Sequence, residues 1–346
     1  METAAETETL DLDDMDQAQW NEYAFDQGWG DGFPLVMPTE ELVERFVATC
    51  HGDNEPLPSM SPRRVIPTMQ AMAANAVMAG ARPEYFPAVL AAARAVLDPE
   101  YNLHGSLATT HSCAPMILLN GPIRNQLNVN CSSNCFGQGR QANATIGRAL
   151  QLILMNVGGA KPGIMDRSTQ GTPAKYAFCF GENEEESPWE PFHVRRGFAA
   201  DDSVVTAIPA EAPHNINDHA STTGVGILTT VAGTISQPGA NAIYCNAPIF
   251  LILGPEHAQT LHRDGWSIAD IQADLFTRSA LHISKVSEEN QVSYDEMDRP
   301  LVDDHYPMVK TPEDFHILVA GGPGKHSAYI PTFGATTECS VRISNA

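Results

Sequence analysis

Basic residues are scarce in this chain. Its 346 residues hold 20 lysines and arginines against 42 aspartates and glutamates, a formal charge of −22. A surface so short of cations cannot neutralise phosphates, so no nucleic-acid partner is expected. Long apolar runs are also missing: no stretch reaches the roughly 18 residues that a membrane crossing needs, so no membrane partner is expected. No basic segment precedes an apolar run, so a secretory signal is not expected. No internal repeat with a period of about 20–50 residues is visible. The absence of Gly-x-Ser-x-Gly argues against an α/β-hydrolase. The absence of Gly-Lys-Ser/Thr excludes a Walker phosphate loop. The seven cysteines are an odd number in a chain without a signal, which points to reduced thiols in the cytoplasm.

With 43% hydrophobic residues, 26 glycines and 25 prolines, the chain reads as globular and rich in loops. It is long enough for one large domain or two smaller ones. Its first residues, METAAETETLDLDDMDQ, carry seven acids and no base, and residues 1–20 are expected to form an acidic flexible tail. Thr39 is a helix cap followed by glutamates. Two alanine-rich helices are expected over 67–79 and 83–97, broken by Gly80 and Pro83. A strand at 116–120 (MILLN) and a helix over 141–156 follow. Strands are expected at 175–182 and 203–208, and 222–236 reads as either helix or strand. Residues 242–254 suggest one or two strands, and helices follow at 255–263 and 267–280, the second capped by Ser267. Residues 285–312 look irregular, and 316–320 (HILVA) reads as a strand before a glycine-rich loop. Interleaved strands and helices imply an α/β fold with mixed sheets and alanine-rich helices in two interleaved lobes. The lobes are expected over 21–200, helix-rich with a His/Cys site, and 201–346, strand-rich and ending in the GGPGKH loop.

Five chemistry-bearing clusters stand out. His104, His111, Cys113, Cys131 and Cys135 fall in one short window. Imidazole and thiolate suit a divalent transition metal such as zinc or iron. His104, His111 and Cys113, with His214, are the expected ligands, and Glu182 is an alternative fourth ligand. Cys131 is expected to be structural. The second cluster is FGQGRQANATIGRA, where two glycines precede a helix whose start attracts anions. Arg140 and Asn143 would bind substrate there, and the same positive end would lower the pKa of the Cys135 thiol. Third, a buried strand runs into Glu182, Glu184, Glu185 and Glu186, then Trp189 and His193. Glu182 and His193 are proton-transfer candidates, while Glu185 and Glu186 read as solvated. Fourth, His214 and His219 sit in a polar loop with Asn215, Asn217 and Asp218. Fifth, ILVAGGPGKH ends a strand in a glycine turn, where Gly322, Lys325 and His326 could hold an anion.

Several long phrases, among them NAVMAGARPEY, FGQGRQANATIGRA and SPWEP, resemble those of a largely uncharacterised bacterial family. The resemblance covers nearly the whole chain. Members of that family are identified near separate proteins named for a UGSC selenocysteine/cysteine motif. The resemblance implies a cytoplasmic bacterial protein from a catabolic or redox setting. It implies no particular reaction, and this chain has neither UGSC nor CGSC.

The expected function is an enzyme acting on a small polar or anionic molecule by metal-assisted hydrolysis, hydration or lyase-type cleavage. Cys135, Glu182, His193 and His111 are the expected catalytic residues. One alternative is thiol chemistry centred on Cys135. Another is a non-catalytic subunit with a second protein component. A homo-oligomer is the expected assembly.

Overall fold

The computed structural model describes residues 3–5, 9–11, 15–53 and 55–344. In chain order its longer elements are α1 (Gln17–Asp26), α2 (Glu40–Ala48), α3 (Met69–Met78), α4 (Phe86–Leu97), β1 (Ala114–Asn120) and α5 (Gln141–Asn156). There follow β2 (Cys179–Gly181), β3 (Val204–Ala210), β4 (His214–Asn217), α6 (Gly224–Ile235), β5 (Ile249–Leu253) and α7 (Pro255–Arg263). The chain closes with α8 (Ile268–Arg278), α9 (Glu288–Glu296), β6 (Phe315–Val319), β7 (His326–Pro331) and β8 (Cys339–Arg342). The fold is α/β with mixed sheets, as the interleaved pattern implies. Among the described residues no helix is long and apolar enough to cross a membrane.

Two four-stranded sheets form, in the orders β8-β3-β1-β2 and β6-β5-β7-β4. They repeat one plan. In the first half a helix (α4) leads into β1, which pairs parallel with β2 and antiparallel with β3. In the second half α6 leads into β5, which pairs parallel with β6 and antiparallel with β7. The fourth strand of each half then leaves its own sheet. β4 pairs antiparallel with β7, and β8 pairs antiparallel with β3. Each sheet is thus completed by a strand from the other half. No repeat is visible in the sequence because only the pairing plan recurs, while the side chains that satisfy it differ.

The sheets lie between two helical layers. Ile117, Leu119, Val205 and Ala207 face one outer core with α3, α4 and α5. Ile249, Leu251, Ile317 and Val319 face the other, with α6, α7 and α8. Between the sheets, Met116, Leu118 and Ile208 meet Phe250, Ile252 and Leu318 in a third core. Every residue of β1 is buried, because it is central in its sheet and covered on both faces. Alanine makes this close layering possible. Ala88, Ala92, Ala93 and Ala95 of α4 are all fully buried. Gly147 does the same on α5: a Cβ there would stand 2.8 Å from the Phe178 amide nitrogen.

Several expectations change. The acidic segment is not free throughout: Thr3 and Ala4 pair with Val65 and Ile66, and Asp16 caps α1 with a capping box. Residues 222–236 resolve as helix α6, with Thr223 as cap. Residues 241–245 are a short helix, so only the second half of 242–254 is a strand. Within 285–312, residues 288–296 form α9, which buries only Tyr294 and so shows no apolar periodicity. Residues 214–217, expected as part of a polar loop, are strand β4, paired with β7, which begins at the end of the GGPGKH turn. The division near 200 separates β1 from β3 and β8, although these three strands share one sheet.

Because each sheet borrows a strand, the two halves are expected to unfold together. Far- and near-UV circular dichroism should trace one coincident urea transition. Leu118→Ala should move that whole transition, costing about 2–5 kcal/mol. Two separated transitions would contradict the interlocked fold.

Candidate functional site

β1 divides the opening His/Cys window. Cys113 precedes the strand, whereas Cys131 lies beyond its far end, against Gly181. Seven residues at about 3.3 Å each put about 20 Å between the two ends. The expected metal ligands also have separate partners. His104 Nδ1 bonds Ser61 Oγ at 3.1 Å, and the Cys113 thiol donates to the Ser106 carbonyl at 3.4 Å. His111 Nε2 lies 2.7 Å from Glu211 Oε1, while His214 sits on the other sheet against the Tyr329 ring. Among the described residues no three His, Cys, Asp or Glu side chains are grouped to hold a metal ion.

At the N-terminal end of β1 a cavity of about 620 Å³ opens. Its walls come from Cys113–Pro115, from Gln151, Leu154 and Met155 on α5, and from the 160–176 loop. This volume suits a small molecule. Lys161 and Lys175 both line it, two of the chain's five lysines. In so acidic a chain, that pairing sets this cavity apart. Lys175 Nζ holds Asp166 Oδ2 at 2.5 Å. Burial pushes the Asp166 carboxyl up, but hydrogen bonds from Lys175 and Ser168 outweigh it and hold the group below its usual range. Gln151 Nε2 is buried without a partner. At the mouth, Tyr176 meets Phe33 edge-on at 4.8 Å, and Ile164 is 71% exposed. A few polar groups therefore stand in a cavity whose lining is otherwise largely apolar.

The His111–Glu211 pair is not part of the cavity's lining but is tied to it through the turn that precedes Cys113. His111 is two residues from Cys113, and its carbonyl accepts from Ser168 Oγ at 2.9 Å. Ser168 in turn donates its amide to Asp166 Oδ1 at 3.1 Å. With Nε2 on the carboxylate, His111 Nδ1 is buried and has no partner. A carboxylate that orients an imidazole is two parts of a general-base arrangement.

The far end of β1 is sealed. Glu182 and His193, two of the expected catalytic residues, come close to one cluster there and are both fully buried. Glu182 Oε2 accepts from Asn120 Nδ2 at 2.6 Å and from the Phe192 amide at 2.8 Å, while Oε1 has no partner. Burial pushes this carboxyl up to about 7. Both ring nitrogens of His193 lack hydrogen bonds, and Nδ1 lies 3.9 Å from Glu184 Oε1. Arg124 is buried and clamps Glu184 at 2.9 Å, Glu185 at 3.0 Å and the Glu182 carbonyl at 2.7 Å. Its hydrogen bonds drive the Glu185 carboxyl down to about 2, so Glu185 is an ion-pair partner rather than merely solvated.

The remaining expected residues are dispersed. Asn143 is a buried staple, accepting from the Asn130 amide and donating to the carbonyls of Asn130, Cys135 and Cys179. Arg140 is exposed at the start of α5. Gly322 has no room for a side chain, since a Cβ there would collide with Ser133 Oγ. Lys325 donates to the His219 carbonyl at 3.2 Å, and His326 bonds His219 at 3.0 Å and Asn215 at 2.9 Å. The helix start does not activate Cys135. Burial pushes its thiol up to about 12, and Cys113 likewise. All seven thiols are raised, with burial the largest cause for each. Lys175, Asp166, Gln151 and Glu211 were not anticipated. The rarity of lysine was the one sequence signal that could have singled out Lys161 and Lys175.

Glu182 makes stability depend on pH. Its folded pKa of about 7 lies above the ordinary 4.5, so the folded state binds this proton more tightly. The resulting stability is complete below the ordinary value and is lost as pH rises through the folded one. The span corresponds to about 3 kcal/mol. Urea titrations of the wild type should show that fall between weakly acidic and mildly alkaline pH, and Glu182→Gln should remove it. An unchanged slope in the variant would contradict the assignment. Compared with family models, curated proteins and solved structures, the chain has no match in any of the three.

Proposed function

We propose that this chain is an enzyme acting on a small polar or anionic molecule held in the cavity at the N-terminal end of β1. Hydration, hydrolysis or lyase-type cleavage is the reaction class. The observation that carries this reading is the convergence of two of the five lysines on one small-molecule-sized cavity that also contains an unpaired buried amide. Lys175 would exchange Asp166 for an anionic group of the substrate, and Gln151 would donate a further hydrogen bond. His111, held by Glu211, would take or return the proton. Among the described residues the four expected metal donors are not grouped, and the steps proposed here use the chain's own side chains. Cytoplasmic action belongs to the same reading, and the seven free cysteines support it.

The test is kinetic. Small hydroxy, unsaturated and amide-bearing acids would be screened by proton NMR with the purified chain. For an accepted substrate, His111→Asn should lower kcat by about 100-fold or more, the scale of general-base catalysis. Lys175→Met should act mainly on KM. Variants as active as the wild type would overturn the assignment.

A further inference from the structure

Arg299 lies outside every site described above. It follows α9, where its amide caps the helix by donating to the Tyr294 carbonyl at 2.9 Å. Only 6% of the residue is exposed. Its Nη2 donates to the Pro307 carbonyl at 3.1 Å, but Nε and Nη1 are buried with no partner. Among the described residues no carboxylate forms an ion pair with it. The titratable groups that act on it are the Tyr294 hydroxyl and the Cys245 thiol, both ordinarily neutral.

A guanidinium cannot be neutralised by losing its proton at any physiological pH. Leaving one buried and unpaired costs several kcal/mol, so such groups normally have an anion. In a chain of charge −22, leaving the acid partner out is a specific feature of this position. The surroundings indicate what is missing. Tyr294 packs edge-on against Tyr306 at 5.2 Å and Tyr244 at 6.3 Å. Tyr244 is about half exposed, and Val292, Met297, Leu301 and Val302, in the stretch of chain on either side of Arg299, also leave apolar surface exposed. A phosphate would bring a second negative charge with no second cation to meet it. A carboxylate balances the single guanidinium, and the tyrosine and aliphatic surface suits an uncharged body.

We propose that Arg299 anchors a second ligand site, which takes the carboxylate of a small organic acid with an aromatic or aliphatic body. The guanidinium supplies the fork of N–H donors, and the exposed ring of Tyr244, packed edge-on against the buried Tyr294, receives the body.

The full chain would be titrated with benzoate, hexanoate and inorganic phosphate, read by calorimetry and thermal melting. At least one of the two acids should bind saturably and raise Tm, and phosphate should not. Arg299→Met should weaken that acid's binding by about 100-fold and abolish the shift. Without ligand it should melt at or above the wild type, because an unpaired buried charge has been removed. Arg299→Lys, which keeps the charge but not the fork, should bind in between. The proposal is overturned if neither acid binds, if phosphate binds as well as they do, or if Arg299→Met binds like the wild type. It is also overturned if Lys175→Met abolishes binding, which would move the acid to the cavity beside β1. A changed oligomeric mass in Arg299→Met would overturn it too, by putting a second copy's carboxylate there instead.

Discussion

The exchange of one strand in each direction between the two sheets is the constraint on which the rest of the structure depends. β8 completes the first sheet and β4 the second. Neither half can bury its inner face alone, because the third core is shared by both sheets. Three further ties reinforce the exchange. Ala210 bridges Thr332 where β3 and β7 end, the Asn183 amide donates to the Val319 carbonyl, and Arg195 donates to the Ile317 carbonyl. These contacts set both ends of β1, and so the walls of everything built there.

The two ends of β1 differ in how they treat charge. At the open end, Lys175 and Asp166 pair at the edge of a cavity, and both side chains are partly exposed. At the closed end, Asn120, Arg124, Glu184 and Glu185 are already committed to one another. Glu182 there resembles a catalytic acid in its pKa but is sealed from any substrate. Its raised pKa expresses burial between two sheets, so it acts on stability. A perturbed carboxyl is thus a sign of function only where something can reach it.

The α/β class was legible because strand-length apolar runs alternate with capped helices. Thr39, Ser267 and the alanine-rich pair all mark helices that form. What was not legible lacks local signal. α9 buries a single tyrosine, and β4 is the polar sequence His-Asn-Ile-Asn, in which only Ile216 is buried. β4 is a strand because β7 pairs with it, a long-range fact. The site was half legible for the same reason. The turn holding His111 and Cys113 lies where chemistry was expected, but Glu211, Asp166 and Lys175 reach it from segments 50 to 100 residues away, and no spacing rule connects them. Conversely, neighbours in sequence such as Cys113 and Cys131 were separated by the straight rise of β1.

The central claim is that the cavity beside Cys113 and Lys175 holds the anionic ligand. The most direct measurement is a crystal structure of the chain soaked in 3-bromolactate, a small hydroxy acid, with the bromine located by its anomalous signal. The account predicts a bromine inside that cavity and the carboxylate on Lys175 Nζ, with Asp166 displaced. A cavity that stays empty while the same acid occupies only other positions would contradict it.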